Sequence, residues 1–191
     1  EVNVELRAGL PGLVMQIVPD RGVAIQTTGA LIQGVWGNGR IETGMLVNLM
    51  EKPDSMLEAG RLDVSLRGSV ILAGMVREAD TLRAAAELPV RGLILSSLHP
   101  SLIPLALQMR YPILVMDGFG NFPMNSAAYR LLTTNAKREA TVNAETFDRY
   151  SGGRPEVIIP LPVSVEPAQP NELETFATGQ QVILRAAPHF G

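Results

Sequence analysis

The chain has 191 residues, 46% of them apolar and 18% charged, with a formal net charge of −3. That is the composition of a globular protein with one large core or two small ones, and it lacks the basic field of a nucleic-acid or anionic-membrane binder. With no cysteine, disulfides, iron–sulfur clusters, zinc ribbons and thiol catalysis are excluded, and a reducing cytoplasm is the expected compartment.

Residues 1–66 read as a β-rich barrel or sandwich domain. "GLVMQIV" and "GVAIQTTGALIQGVW" are short β-branched runs, punctuated by the turn sequences "LPG", "PDRG" and "GNGR". The polar stretch 50–60, with Pro53, predicts a surface loop. From residue 67 the rhythm changes. "GSVILAG", "VRGLILSS" and "YPILVMDG" are continuously apolar, the pattern of strands covered on both faces. Helix patterns lie between them over 78–88 and 99–109. The second has Ser101 as N-cap and Pro104 in its first turn. A third helix follows over 125–135, capped by Asn125 or Ser126, and "EATVNAE" (139–145) reads as a fourth strand. Short links imply parallel neighbours, so 67–150 predicts a small, doubly wound α/β domain. Residues 151–191 predict a Pro-rich link and a C-terminal β extension. "VIIPLP" is expected at a sheet edge, where Pro is tolerated, with "RPEVIIPLP" returning to pair with one of the two domains. The fold class is thus a mix of α+β and α/β. No apolar stretch reaches the roughly 18–20 residues of a membrane span, and no signal peptide is visible. A start at Glu1 without Met predicts that the chain is part of a longer protein.

Two stretches carry resemblances. "IVPDRGVAIQTTGALIQGVWGNGRIETG", "GFGNFPM" and "RPEVIIPLP" together resemble an uncharacterised prokaryotic family with a biotinyl/lipoyl-like barrel-sandwich segment upstream. That resemblance covers most of 12–162 and implies no activity and no catalytic residue. "GQQVILRAAPHFG" is similar to the opening of a KOW-type SH3-like barrel. A KOW module implies RNA or protein contacts, and Arg185 and His189 are the cations the tail offers for them.

In an open parallel sheet, ligands bind beyond the carboxyl ends of the strands. Gly74, then Ser96, Ser97 and His99, then Asp117, Gly118 and Gly120 fall at three such ends. Their loops, followed by helix N-termini, suit a small anionic ligand or nucleotide. The competing reading makes the glycines turn residues, with Phe119 and Phe122 packed on their neighbours. Ser96, Ser97, His99 and Asp117 include the residue types of a hydrolase triad, but no "GxSxG" surrounds either serine, and Ser97 and His99 are too close in sequence for a good nucleophile–base pair. "GxxxxGK[ST]" is absent, "DGFG" stands without the other kinase motifs, and the only histidines, His99 and His189, lie in different segments, so no metal or cofactor is called for. Trp36, the single tryptophan, stands with Arg40 beside a glycine turn and is a candidate protein-interface anchor. The favoured reading is a non-catalytic cytoplasmic binding or assembly protein that self-associates or binds another protein. Small-ligand binding, with or without catalysis, is the alternative, and RNA contact through the tail a third.

Overall fold

The computed structural model describes residue 8, residues 10–150 and residues 152–161, all within one compact unit. Two strands, β1 (Leu13–Val18) and β2 (Gly22–Gln26), form an antiparallel hairpin of their own. The other strand segments are β3 (Gly29–Gln33), β4 (Trp36–Gly37), β5 (Ile41–Asn48), β6 (Ser69–Ala73), β7 (Gly92–Leu98), β8 (Ile113–Phe119), β9 (Glu139–Asn143) and β10 (Glu156–Pro160). They share one mixed sheet in the order β3-β10-β9-β5-β6-β7-β8-β4. Three helices accompany it: α1 (Ala79–Glu87), α2 (Ile103–Gln108) and α3 (Ser126–Thr134).

The expected α/β character is present: β5, β6, β7 and β8 are parallel neighbours. The expected boundary at 66/67 does not divide the sheet. It falls between β5 and β6, which are hydrogen-bonded to each other. The segment after 150 also belongs to the sheet, because β10 pairs with both β3 and β9. The described strand part of "VIIPLP", residues 157–160, is therefore internal, not at an edge. Pro160 is tolerated because it is the last residue of β10, and the ladder to β9 stops at Ile158. The rest of the C-terminal extension, with its KOW-like stretch, lies outside the described residues.

The two ends of the sheet order, β3 and β4, are separated by two residues, Gly34 and Val35. Three residues of extended chain span only about 10 Å, so the sheet must curl back on itself. The hydrogen bonds show how. The Gly34 amide donates to Pro155 O at 2.8 Å, continuing the ladder with β10, and the Val35 amide donates to Val115 O at 2.8 Å, starting the ladder with β8. Residues 29–37 are one strand with a neighbour on each side, and the sheet closes into a seven-stranded barrel.

Strand alternation then separates inside from outside. Ile32, Val157, Val142, Leu46, Leu72, Ile94 and Leu114 share one buried cluster, the barrel interior. Ile71, Leu93, Leu95 and Ile113 point outward and are covered by Leu82 and Ala85 of α1 and Ala106 of α2. This explains the continuous apolar runs of β6, β7 and β8: both faces are covered, one by the barrel and one by helices. α3 serves the other cluster. Its Ala128 and Leu132 join the interior. It is tied at its start, where the Met124 amide donates to Pro53 O, and through Tyr129, whose hydroxyl donates to Glu51 O at 2.9 Å. α3 thus runs from the carboxyl end of β8 to that of β5 and stoppers that end of the barrel.

Local chemistry fixes the pieces. Asn125 caps α3 through Oδ1, which accepts from the Ala128 amide at 2.9 Å. The expected 99–109 helix begins with a 3-10 turn at Pro100–Leu102 and becomes α2 only at Ile103. His99, not Ser101, caps that turn, because its Nδ1 accepts the Ser101 amide. Tyr111 is buried with its hydroxyl donating to Leu82 O at 2.8 Å, and burial holds its phenol well above the usual range.

Asn38 pins the strand that closes the barrel. It is 7% exposed. Its amide group donates to Ala106 O at 3.1 Å and Tyr111 O at 3.0 Å, and its Oδ1 accepts from the Ile113 amide at 3.0 Å. One side chain thereby joins the end of β4, the end of α2 and the start of β8. Asn38→Ala leaves three buried backbone groups without that partner, so it should lower the unfolding free energy by about 3 kcal/mol. Urea denaturation of both proteins gives the number.

Candidate functional site

The three predicted strand ends do come together. The Ser96 amide donates to Gly74 O at 3.1 Å, the Val76 amide donates to Ser97 O at 3.1 Å, Ser97 is in register with Gly118, and the Gly120 amide donates to Leu98 O at 3.0 Å. The links leaving them diverge: β7 leads to α2 outside the barrel, and β8 leads to α3 over its end. A crevice between strands whose connections part in this way is the usual place for a ligand.

Apart from the Ser96 hydroxyl, the polar side chains there are engaged with the protein itself. Gly74 is needed because the 50–60 loop passes over it: a Cβ would lie 1.7 Å from Ser55 O. The Met75 amide donates to that same oxygen at 2.9 Å. The Ser97 hydroxyl donates to Gly120 O at 3.1 Å and accepts from the Phe122 amide at 3.2 Å, folding the 120–122 loop back onto β7. Gly118 and Gly120 have φ of +128° and +121°, which L side chains resist, and Phe122 lies beside both. His99 is committed to Ser101, with Nδ1 2.7 Å from its Oγ. Arg77 Nε donates to Asn121 Oδ1 at 2.8 Å, closing the rim.

Asp117 settles the electrostatics. Its two oxygens accept from the Asn125 amide at 3.0 Å and the Asn125 side chain at 2.9 Å. Asn125 is the cap of α3, so a carboxylate already occupies the positive end of that helix. The sequence suggests an anion there, and the anion is the protein's own. Phe119 turns outward and meets Trp36 edge to face, ring centroids 5.8 Å apart. Trp36 is half-buried over the α1–α2 cluster, while Arg40 is exposed at the turn into β5. Among the described residues, no three acidic or histidine side chains stand close enough to hold a metal ion, and no helix is long and apolar enough to cross a membrane.

Sequence reasoning missed three features. The first is Asn38, hidden in a "GNG" turn. The second is the Ser96 hydroxyl, fully buried and without a hydrogen-bond partner. The third is the exposed aliphatic face of the β1–β2 ribbon, whose two strands are legible in the sequence but whose facing is not. Val14 pairs with Ile25 and Ile17 with Val23, and a bulge at Met15 brings Val14 and Ile17 onto one face despite their odd spacing. That face is wholly aliphatic and its four side chains are 53, 71, 53 and 36% exposed for Val14, Ile17, Val23 and Ile25. The opposite face carries Gln16 and Gln26 with Leu13 and Ala24. The reversed alternation across the bulge concealed this from a period-two reading.

On the barrel's uncovered side, Glu156 lies opposite Asn143 across the β10–β9 ladder. Partial burial, and then the nearby Glu145 charge, hold its carboxyl above the usual range.

No family model, no curated protein and no solved structure matches this chain.

Two substitutions separate structure from ligand binding at the strand ends. Asp117→Ala should cost about 1–3 kcal/mol by freeing the α3 cap. Ser96→Ala removes an unpartnered buried hydroxyl and should raise the melting temperature. Thermal melts of the two variants check both signs. Glu156→Gln should also raise Tm at pH 7, where the native state holds a disfavoured carboxylate. Because the native carboxyl titrates higher than the unfolded one, its contribution is restored as pH falls through the native value. The advantage of the glutamine should therefore shrink as pH falls through the raised native value and be gone once pH is below the ordinary carboxyl range of about 4.3.

Proposed function

We propose that this protein is a non-catalytic assembly protein of the cytoplasm whose contacts are made through the β1–β2 ribbon. The observation that carries this is the aliphatic face of Val14, Ile17, Val23 and Ile25, uncovered on a two-stranded ribbon. An isolated pair of strands is marginal in water, and stability comes when a third element covers its apolar face. The ribbon strands also lack the usual guards against pairing: residues 13–18 and 22–26 contain no charged residue and no proline. The chemistry of the strand ends points the same way, because Ser97, His99 and Asp117 are spent on holding loops and a helix cap.

Native mass spectrometry of the full-length protein, gently purified from its own source, tests this. The expected result is a defined protein complex that Ile17→Lys disperses and Asp117→Ala leaves at the same mass. A single bare chain at every concentration, or an added small-molecule mass lost on Asp117→Ala, would overturn it.

A further inference from the structure

We propose that Asn38–Gly39 is a self-modification site, silent while the barrel is closed, whose deamidation stops an opened barrel from closing properly again.

The chemistry is local. Of the chain's asparagines, Asn38 alone is followed by glycine. With no Cβ, glycine leaves its amide nitrogen the freest to reach the preceding side chain. In an unconstrained chain the Gly39 nitrogen attacks Cγ of Asn38. The new C–N bond closes a five-membered imide, the bond to Nδ2 breaks, and the proton of the Gly39 amide leaves with that nitrogen as ammonia. Water then opens the ring at either carbonyl, giving aspartate or its β-linked isomer. One water is consumed, one ammonia is released, and nothing is oxidised or reduced.

The closed barrel withholds the groups this step needs. The Asn38 side chain is buried, with both hydrogens of its amide donated, to Ala106 O and Tyr111 O, and its Oδ1 accepting from the Ile113 amide. The attacking nitrogen is engaged as well, because the Gly39 N–H donates to Ala144 O at 2.6 Å. Electrophile and nucleophile are thus tied to different parts of the barrel, one to α2 and β8 and the other to the residue after β9. Both come free when the closing strand lifts away.

The product cannot resume the latch. A carboxylate has no hydrogen to donate, and it sets its charge against the two carbonyl oxygens that the amide had satisfied. The β-linked isomer adds a carbon to the backbone between the β4–β8 pairing and the Gly39 bond to Ala144, two points whose spacing the barrel fixes. The group that closes the barrel is therefore the group lost when it opens.

Conversion at Asn38 is read by peptide mass mapping, from the mass gained when an amide becomes an acid. It is followed in the full-length protein and in a synthetic peptide of residues 34–42, in the same mildly alkaline buffer. The expected result is conversion about 1,000-fold slower or more in the folded protein, as the rarity of global opening dictates, and rising with urea in step with loss of the closed barrel. Chains converted in urea are then returned to buffer. Unconverted chains should regain slow exchange at the Gly34 and Val35 amides, and converted chains should close about 100-fold less favourably. Conversion in the folded protein as fast as in the peptide overturns the proposal. So do converted chains that regain the full protection of unconverted ones. Asn38→Asp supplies the aspartate product without incubation, and normal closure of that variant overturns the proposal equally.

Discussion

The structure depends on one strand having two neighbours. Residues 29–37 pair with β10 through their first half and with β8 through their second, changing sides at Gly34 and Val35. Without that, the sheet would be an open one with two long edges and an interior face needing its own cover. With it, the interior cluster is enclosed by seven strands and only the ends of the barrel require stoppers. Closure is the most complete way for a β-sheet to dispose of its edges. Asn38, one residue beyond, holds the closing strand against β8 and α2 by three hydrogen bonds.

Closure also decides what the strand ends can do. α3 has to cross the mouth of the barrel to reach β9, and it is held there by Asp117 through Asn125 and by Tyr129 through Glu51. The polar groups at the carboxyl ends are therefore drawn into fastening loops over a packed interior. Position alone would have nominated them as a site, but their hydrogen-bonding capacity is already largely used by the protein. What remains available is the ribbon, which branches from the barrel just before the closing strand and takes no part in it.

Much of the α/β half was legible in the sequence because its signals are local. The apolar runs of β6, β7 and β8, the Ala-rich α1 and the Asn125 cap of α3 each follow from neighbours within a turn or two. The barrel was not legible, because a strand pairing first one way and then the other leaves no mark on period-two alternation, and because a parallel β5 can be recognised only from the strand it joins. The division at 66/67 followed a true change of rhythm, from antiparallel to helix-linked strands, which is a change of connection within one sheet. At the candidate site, the residues and their convergence could be read, while their occupation could not: Asp117 and Asn125 are eight apart, and nothing in either neighbourhood signals the pairing. The ribbon face was hidden by one bulged residue, Met15.

Amide hydrogen exchange across the closing strand tests closure directly. If the barrel is closed, the Gly34 and Val35 amides exchange only with global unfolding, as slowly as those of β6 and β7, while the amides on the free edges of the ribbon exchange far faster. If Gly34 and Val35 exchange as quickly as exposed loop amides, the sheet is open at that seam, and the account of both the stoppered strand ends and the solitary ribbon fails with it.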